Sequence, residues 1–366
     1  MHSLENPLYL REQLITYLGN KRKLLPYIEE EIISVKEALG KAKITALDIF
    51  SGSGSVARLL KAHSSVLTVN DLEKYSSIIN SCYLSNQSDF DKNLYNECAK
   101  EIDNALKKPI SGIITKNYSP KDENDIKAGE RVFYTPENAR IIDTVRAAID
   151  TLPEEMRKFF LAPLLAESSV HANTSGVFKG FYKSKKTGIG AYGGEAGNAL
   201  SRIKGKIEIK KPVLSNFECD YKIYCEDANA LAKKLPHTDL VYIDPPYDQH
   251  PYGSNYFMLN VIAENRIDGT LSRVSGIPDN WHRSDYNKQS VAAASLEQLI
   301  CDLDAEYMII SYNSEGFISL EQMTEMLKRY GKVRTRSIQY NTFRGSRNLR
   351  QRDIHVDEYL FILHKK

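Results

Sequence analysis

The tetrapeptide Asp244-Pro245-Pro246-Tyr247 combines groups that can act on an amino nitrogen. It follows residues 240–243, an apolar run that predicts a buried strand, and open α/β sheets bind ligands at the carboxyl ends of their strands. The two prolines fix the backbone and supply no N–H. The Asp244 carboxylate and the Pro245 carbonyl can then accept hydrogen bonds from one amino group. Such bonds would draw the nitrogen lone pair out of conjugation and toward a methyl donor.

Tyr247 adds a flat face on which a heteroaromatic ring can stack, as a base flipped out of a duplex does. The alternative interpretation is a proline turn at a strand end with an aspartate that has no function. Either Pro-Pro or Asp-Pro alone would favour that alternative. The complete tetrapeptide, downstream of a glycine loop and an acidic second strand, favours chemistry instead.

A glycine loop with Gly52 and Gly54 directly follows the predicted strand at residues 44–50 and precedes a helix. Such a loop places backbone N–H groups and a helix dipole beside a ligand, and glycine allows close approach. Asp71 closes the next strand and can accept hydrogen bonds from a ribose. With Ala57 the loop also fits the GxGxxA pattern, so by itself it does not distinguish NAD from S-adenosylmethionine.

The order of elements predicts an α/β fold with a parallel, doubly wound, Rossmann-like sheet. Between the second and third predicted strands the sequence becomes helical and polar, which indicates an inserted, mainly helical lobe. Thr135 and Pro136 predict the start of one of its helices. Short apolar runs predict strands at residues 44–50, 66–69, 221–224, 240–243, 307–311 and 359–364.

Two basic runs indicate nucleic acid as a partner, although the net charge is only +2. Residues 328–352 hold nine Lys or Arg and no acid, and residues 179–211 hold nine more against two Glu. One run would favour a solvated surface, whereas two runs with aromatic residues favour a polyanion. Residues 173–205 also hold eight glycines and are expected to be mobile until a partner binds. The candidate DNA-binding residues are Lys183, Lys185, Lys186, Arg344, Arg347, Arg350 and Arg352.

Composition argues against several other classes of protein. The sequence has no run near the roughly 20 apolar residues that cross a bilayer and no basic-then-apolar leader. We therefore expect a cytoplasmic protein that does not associate with a membrane. The five cysteines form no CxxC pair, and the eight histidines show no HxxxH or HExxH spacing. We therefore expect reduced thiols and no metal.

Four motifs in order resemble the N6-adenine DNA methyltransferases of the Dam-like, or D12, class. In that class the methyl-donor motifs precede the target-recognition region and the DPPY motif follows it. The resemblance covers the core of the chain and implies S-adenosylmethionine as cofactor and N6 of a flipped adenine in double-stranded DNA as acceptor. It also implies a prokaryotic enzyme of a restriction-modification system, with a cognate restriction endonuclease as partner.

The same resemblance implies roles for individual residues. The segment Tyr17-Leu18-Gly19-Asn20-Lys21 is similar to the N-terminal donor-binding motif, with Tyr17 where Trp is usual and Asn20 where Gly is common. The glycine loop would hold the methionine end of the cofactor, Asp71 its ribose and Asp227 its adenine. Asp227 has an equal alternative as the N-cap of a helix. The implied cofactor-binding residues are Tyr17, Gly19, Lys21, Asp48, Phe50, Gly52, Gly54, Asp71 and Asp227.

The family order also implies a domain division. Residues 1–84 and 216–366 would form a catalytic domain that is split in sequence, and residues 85–215 the target-recognition lobe. Residues 249–294, with Tyr252, Tyr256, Phe257 and Trp281, exceed what the simplest members need. This second insertion either closes over the flipped base or adds DNA contacts.

Other functions remain open at this point. A cytosine-C5 enzyme is disfavoured because it needs a cysteine nucleophile, typically after proline, and no Pro-Cys pair occurs. An RNA N6-adenine or a protein-glutamine methyltransferase could use similar motifs, although the latter prefer Asn at the first DPPY position. A nucleotide-dependent oxidoreductase would use the glycine loop but leave DPPY unexplained, and a pure DNA-binding module would need no cofactor site.

Overall fold

A single seven-stranded sheet forms the centre of the computed structural model, which describes residues 5–194, 196–197, 199–341 and 355–366. The strand order is β3-β2-β1-β4-β5-β7-β6. The strands are β1 (Ile44–Asp48), β2 (Ser64–Asn70), β3 (Asp220–Tyr224), β4 (Thr238–Ile243), β5 (Ala305–Asn313), β6 (Gly331–Asn341) and β7 (His355–Lys365).

The first five strands pair in parallel, and β7 lies antiparallel between β5 and β6. This mostly parallel sheet confirms the predicted Rossmann-like α/β fold. Six of the strands were predicted. The seventh, β6, lies where the sequence showed only a basic run, and its Arg334 and Arg336 form ion pairs with Glu31 and Glu30 of the first long helix. That part of the run therefore stabilises the sheet edge.

Helices cover both faces of the sheet, as parallel strands require because both of their faces are apolar. One face packs against α2 and α3, and the other against α10, α13 and α14. The helices are α1 (Pro7–Arg11), α2 (Leu25–Leu39), α3 (Ser55–Lys61), α4 (Lys74–Tyr83), α5 (Lys92–Leu106), α6 (Ile113–Tyr118), α7 (Pro136–Thr151), α8 (Glu154–Val170), α9 (Leu200–Lys204), α10 (Ala228–Ala232), α11 (Tyr252–Asn255), α12 (Phe257–Glu264), α13 (Ala292–Asp302) and α14 (Leu320–Lys328), with a 3-10 turn at Asp285–Asn287.

A helical body follows β2 in the chain, and in the described part of residues 71–219 no segment joins the sheet. Helix α4 packs on α8, while α5 and α6 pack on α7. Helix α7 begins as predicted, with the Thr135 hydroxyl accepting from the Asn138 amide and Pro136 in the first turn. Buried aromatic residues, such as Tyr95 stacked on Phe160 at 4.6 Å, fill this body.

The insertion at residues 249–294 packs on the same helical body. Helix α12 contacts α4 and α8, and the Arg146 side chain donates hydrogen bonds to the carbonyls of Ile262 and Ala263. The Tyr118 hydroxyl donates to the Gly276 carbonyl at 2.8 Å. Two segments that are far apart in sequence therefore share one core.

The described part of the glycine-rich stretch consists of turns and the short helix α9. Lys183 and Gly190 pair as an isolated antiparallel bridge, and the Ala191 amide donates to the Tyr182 carbonyl at 2.9 Å. These contacts give residues 182–191 a hairpin-like path, with Lys183, Lys185 and Lys186 exposed on it. Among the described helices, none has the length and apolarity to cross a bilayer.

Candidate active site

The carboxyl ends of β1 and β4, which are neighbours at the centre of the sheet, open into a cleft. The glycine loop leaves β1 and the Asp244-Pro-Pro-Tyr turn leaves β4 at this point. Strand order reverses here, because the chain runs outward from β1 through β2 to β3 and returns to β4 on the other side. Open α/β sheets bind ligands at such a position.

The glycine loop is held by Asp71. Oδ2 of Asp71 accepts the Gly52 amide at 2.7 Å, and its Oδ1 accepts the Glu73 amide at 2.9 Å. Gly52 has φ +50, and a Cβ there would lie 2.9 Å from the Tyr17 ring, so a side chain would not fit. Burial raises the pKa of Asp71 to about 6, although the two amide donors oppose the rise.

Asp48 ends β1 with its carboxylate buried at the floor of the cleft, only 1% exposed. Its Oδ1 has no hydrogen-bond partner among the described residues. Burial raises the pKa of Asp48 well above its ordinary value, and the nearby carboxylates of Asp244 and Asp71 add to the rise. A buried acceptor in this state needs a donor or a cation from a ligand.

Asp244 lies in a chain of charges that extends across the sheet. The Lys21 Nζ lies 3.0 Å from Oδ1 of Asp244 and 2.9 Å from Oε1 of Glu358 on β7. Glu358 in turn accepts hydrogen bonds from the Ser311 hydroxyl and, at 3.3 Å, from the Asn313 side-chain amide on β5. One ammonium group is therefore shared by two carboxylates.

Burial sets the protonation of this cluster. It raises the pKa of Asp244 to about 6, with the Lys21 ammonium opposing the rise and Glu358 adding to it. Burial also lowers the pKa of Lys21, but the two carboxylates outweigh it and leave that pKa well above its ordinary value. Asp244 is thus ionised near neutral pH and becomes protonated as the pH falls through about 6.

Tyr247 is half-buried beside the cleft, and its backbone carbonyl accepts the Phe317 amide at 3.1 Å. Its ring meets Tyr312 edge-on, with centroids 6.2 Å apart. A Cβ at Gly19 would lie 3.7 Å from the Tyr247 hydroxyl and 3.4 Å from the Tyr252 hydroxyl. The N-terminal motif and the DPPY turn therefore meet at Gly19.

The second insertion holds the N-terminal motif in place. Tyr17 stacks on Tyr252 and Tyr256, with ring centroids 4.9 and 4.7 Å apart. The Leu18 amide donates to the Tyr256 hydroxyl at 2.7 Å, and the Tyr252 hydroxyl donates to the Leu18 carbonyl at 3.3 Å. This insertion thus forms part of the cleft wall, to which it also contributes His282, Ser284, Tyr286 and Asn287.

Most of the residues predicted for the site come together at this cleft. Asp227 lies at its exposed edge and caps α10, since its Oδ1 accepts the Ala230 amide at 2.9 Å. The N-cap interpretation is thus confirmed, and a contact of Asp227 with the cofactor adenine stays a prediction. Gly54, Pro245 and Tyr247 adjoin the cleft without lining it. The predicted residues that line it are Tyr17, Gly19, Lys21, Asp48, Phe50, Gly52, Asp71, Asp227, Asp244 and Pro246.

The predicted DNA-binding residues fall into two groups. Lys183, Lys185 and Lys186 are exposed on the hairpin-like segment. The predicted contacts of Arg344, Arg347, Arg350 and Arg352 lie outside the described residues.

Glu358 and Glu73 were not predicted as parts of the site. Glu73 is buried in the cleft, where its carboxylate accepts the Asn260 side-chain amide at 2.5 Å and lies 3.5 Å from His282. Glu358 had a sequence signal, because a charge next to apolar residues in a core strand needs a partner. The partners, however, come from distant parts of the chain.

His237, Asp239 and Glu306 lie close enough together to hold a metal ion. They lie at the amino-terminal ends of β4 and β5, away from the cleft. Asp239 already accepts the Lys41 ammonium at 2.6 Å and the Thr45 amide at 2.8 Å. These bonds account for its burial without an ion, so the predicted absence of a metal stays a prediction.

A sequence model of the D12 class N6 adenine-specific DNA methyltransferases matches residues 17–326, which span the glycine loop, the helical body and the DPPY turn. The chain belongs to this family. It is accordingly an adenine-specific DNA methyltransferase, and the resemblance seen in the motifs is confirmed at the level of family and reaction. DNA, rather than RNA or protein, is the substrate of that family.

Three named relatives align with nearly the whole length of this methyltransferase. It is 31% identical to the type II methyltransferase M.NlaIII of Neisseria lactamica, over 96% of this chain and 99% of the relative. It is 29% identical to the type II methyltransferase M.CviAII of Paramecium bursaria Chlorella virus 1, over 96% and 98%. The type II methyltransferase M.FokI of Planomicrobium okeanokoites is 27% identical over 95% of this chain, which spans 52% of that relative.

Proposed function

We propose that this methyltransferase moves the methyl group of S-adenosylmethionine to N6 of an adenine that is flipped out of duplex DNA into the cleft. Asp244, Pro245, Pro246 and Tyr247 are the catalytic residues of this proposal. The glycine loop, Asp48 and Asp227 would hold the cofactor, and Asp71 would accept hydrogen bonds from its ribose. The observation that carries the proposal is the charge of the cleft.

The residues that line the cleft favour a positively charged ligand. Among the described residues that line it, six are carboxylates and one is a lysine, Lys21, which is already engaged by Asp244 and Glu358. S-adenosylmethionine supplies an electrophilic methyl group on a positively charged sulfur. The orphaned Oδ1 of Asp48 can accept the ammonium of its methionine end, so the residues present fit this cofactor. The carboxylates are Asp48, Asp71, Glu73, Glu226, Asp227 and Asp244.

The same features disfavour the oxidoreductase alternative. A dinucleotide cofactor needs free amides at the glycine loop for its pyrophosphate. Here the Gly52 amide already donates to Asp71, and carboxylates rather than cations surround the loop. These carboxylates would therefore repel a pyrophosphate, whereas they would attract a sulfonium and an ammonium group.

At the acceptor end, the Asp244 carboxylate and the Pro245 carbonyl accept hydrogen bonds from the amino group of adenine. These bonds keep the nitrogen lone pair available for the methyl carbon, and Tyr247 offers its ring to the flipped base. The cofactor would supply the methyl carbon for the new N–C bond, and the electron pair of the broken S–C bond would stay with its sulfur. The amino nitrogen would then release one proton, which the Asp244 carboxylate can accept.

Equilibrium dialysis tests the cofactor assignment. We expect S-adenosylmethionine to bind and NAD not to bind, and we expect long-read sequencing of DNA from expressing cells to show N6-methyladenine in one sequence context. Binding of NAD alone would refute the proposal. Methylation in a single context would also support the inferred role in a restriction-modification system, which rests on the type II relatives.

We expect Asp48→Asn to weaken S-adenosylmethionine binding about tenfold or more, because a charge-assisted bond to the cofactor ammonium contributes about 1.5–3 kcal/mol. Isothermal titration calorimetry gives the dissociation constant. Asp239→Asn is a matched control, since Asp239 is also buried on a central strand but lies at the opposite end of β4. An unchanged affinity in Asp48→Asn would remove this residue from the cofactor site.

Target recognition belongs in this proposal to residues 85–215, with the insertion at 249–294 closing one wall of the cleft. Lys183 and Lys185 are exposed on the hairpin-like segment of this region. Other lysines of the same run are close to carboxylates. Lys206 lies 3.8 Å from Glu137 and Lys210 lies 3.7 Å from Glu167.

Neutralising Lys183 and Lys185 together should weaken DNA binding and reduce its salt dependence. Each lost phosphate contact lowers the slope of log K against log salt by roughly 0.9. We expect Lys206→Gln with Lys210→Gln, the matched control, to leave the slope unchanged. Fluorescence anisotropy over a salt series measures both, and equal slopes in the two double variants would contradict the assignment. The same expectation applies to Lys186 and to Arg344, Arg347, Arg350 and Arg352.

A further inference from the structure

Glu358 is the most buried carboxylate near the acceptor end of the cleft, with 1% of its side chain exposed. It projects from β7, where antiparallel pairing aligns it with Asn313 of β5. It is not among the residues that line the cleft. Nevertheless its Oε1 lies 2.9 Å from the same Lys21 ammonium that contacts Asp244.

A stabilising role alone does not account for this arrangement. Two buried carboxylates that share one ammonium leave one negative charge uncompensated, and burying such a charge is costly. A pair of Lys21 and Asp244 alone would have no net charge, and its burial would cost less free energy. An unfavourable feature of this kind beside a reacting centre is typical of function rather than of stability.

We propose that Glu358 is a positioning residue for methyl transfer, which holds the shared Lys21 ammonium so that Asp244 stays fixed and the acceptor end keeps one excess negative charge. This inference rests on the proposed role of Asp244. The amino nitrogen gains positive charge as the N–C bond forms, so an excess negative charge beside it stabilises the transition state. Without Glu358 the ammonium belongs to Asp244 alone and weakens it as a hydrogen-bond acceptor.

The surroundings of the pair predict the sign of a measurable effect. The Glu358 charge is close to Asp244, so its removal makes protonation of Asp244 harder and lowers its pKa. Asp48 remains as a second carboxylate near Asp244 in every variant. The titratable groups that face the Asp244–Lys21 pair are Asp48 on β1, Tyr242 on β4, Tyr247 in the turn, Tyr252 on α11 and Glu358 on β7.

The test is the pH profile of kcat/KM for methylation of duplex DNA by the full chain. We expect the wild-type rate to fall on the acid side as Asp244 is protonated. In Glu358→Gln this acid limb should move to lower pH by about one unit, because a nearby like charge is gone. At neutral pH kcat should fall by about tenfold, as acceptor strength follows basicity, while KM for DNA stays the same.

Two further variants separate positioning from folding. Glu358→Asp keeps the charge but withdraws it from Lys21, so its acid limb should stay in place and its kcat should lie between those of wild type and Glu358→Gln. Glu31→Gln is the matched control, because Glu31 is also a buried, ion-paired glutamate but lies on α2, outside the cleft. Its acid limb and its kcat should equal those of wild type.

An acid limb that does not move in a folded Glu358→Gln enzyme overturns the proposal, and so does an equal shift in Glu31→Gln. If Glu358→Gln does not fold, wild-type turnover in Glu358→Asp overturns it. A wrong assignment of Asp244 as a catalytic residue would give a different result, because the Asp244→Ala enzyme would then retain turnover. If Asp244→Ala is inactive but the acid limb of the Glu358→Gln pH profile does not move, only the role of Glu358 is rejected.

Discussion

Asp244→Ala should lower methyl transfer to duplex DNA by at least about 10²-fold, the loss typical when one preorganised group at a transition state is removed. The carboxylate is the proposed acceptor for the adenine amino group, and alanine leaves nothing in its place. The fold should persist, since Lys21 keeps Glu358 at 2.9 Å as a partner for its buried charge. Transfer of a labelled methyl group under single-turnover conditions measures the loss.

Cofactor binding is the internal control for that result. We expect Asp244→Ala to bind S-adenosylmethionine within a few-fold of wild type, because Asp48 and Asp71 remain. Asp244→Asn keeps the shape and one acceptor oxygen, so it should retain more activity than the alanine variant if hydrogen bonding, rather than charge alone, matters. An Asp244→Ala enzyme with near-wild-type turnover would refute the catalytic assignment.

The cleft could be predicted from the sequence because its ligand-binding turns follow short, apolar strands. Asp48 and Asp244 each end such a strand, and neighbouring parallel strands bring their carboxyl ends together. Local composition was therefore sufficient to place the glycine loop and the DPPY turn at one sheet edge. The family comparison then confirmed adenine-specific DNA methylation.

Edge strand β6 was missed because its outward residues are charged. Arg334 and Arg336 alternate with smaller side chains, which is a strand period, but their charge suggested a DNA-binding surface. Edge strands commonly carry charge. Only the packing of α2 shows that Glu30 and Glu31 compensate these arginines, which lie about 300 residues away in the chain.

The network behind the DPPY turn could not be predicted for a similar reason. Glu358 is an acid within an apolar strand, which signals a buried partner, but the partner depends on how β7 enters the sheet. The stack of Tyr252 and Tyr256 on Tyr17 likewise joins segments more than 200 residues apart. Patterns in one stretch of sequence predict elements, whereas such contacts depend on the assembled fold.

Tyr247 is expected to act through its ring. Stacking on an aromatic side chain is worth about 1–3 kcal/mol per base in proteins that bind single strands, and a flipped adenine should gain a similar amount. Tyr247→Phe keeps the ring and should retain substantial activity. Tyr247→Ala should lose most of it, by roughly the 5- to 150-fold that those energies imply. Tyr312→Phe, in the ring that Tyr247 contacts edge-on at 6.2 Å, controls for changes in packing.

Base flipping itself can be followed with 2-aminopurine in place of the target adenine. Wild-type enzyme should raise its fluorescence on binding, because unstacking from the duplex relieves quenching, although stacking on Tyr247 reduces the gain. Tyr247→Ala should bind the same DNA but hold the flipped base less well, so its signal reports the lost stacking partner directly. If Phe and Ala are equally damaging, the hydroxyl rather than the ring is required. If both substitutions are harmless, Tyr247 does not contact the target base, and the aromatic residues that line the cleft become the candidates for stacking, of which Tyr252 is nearest to Gly19.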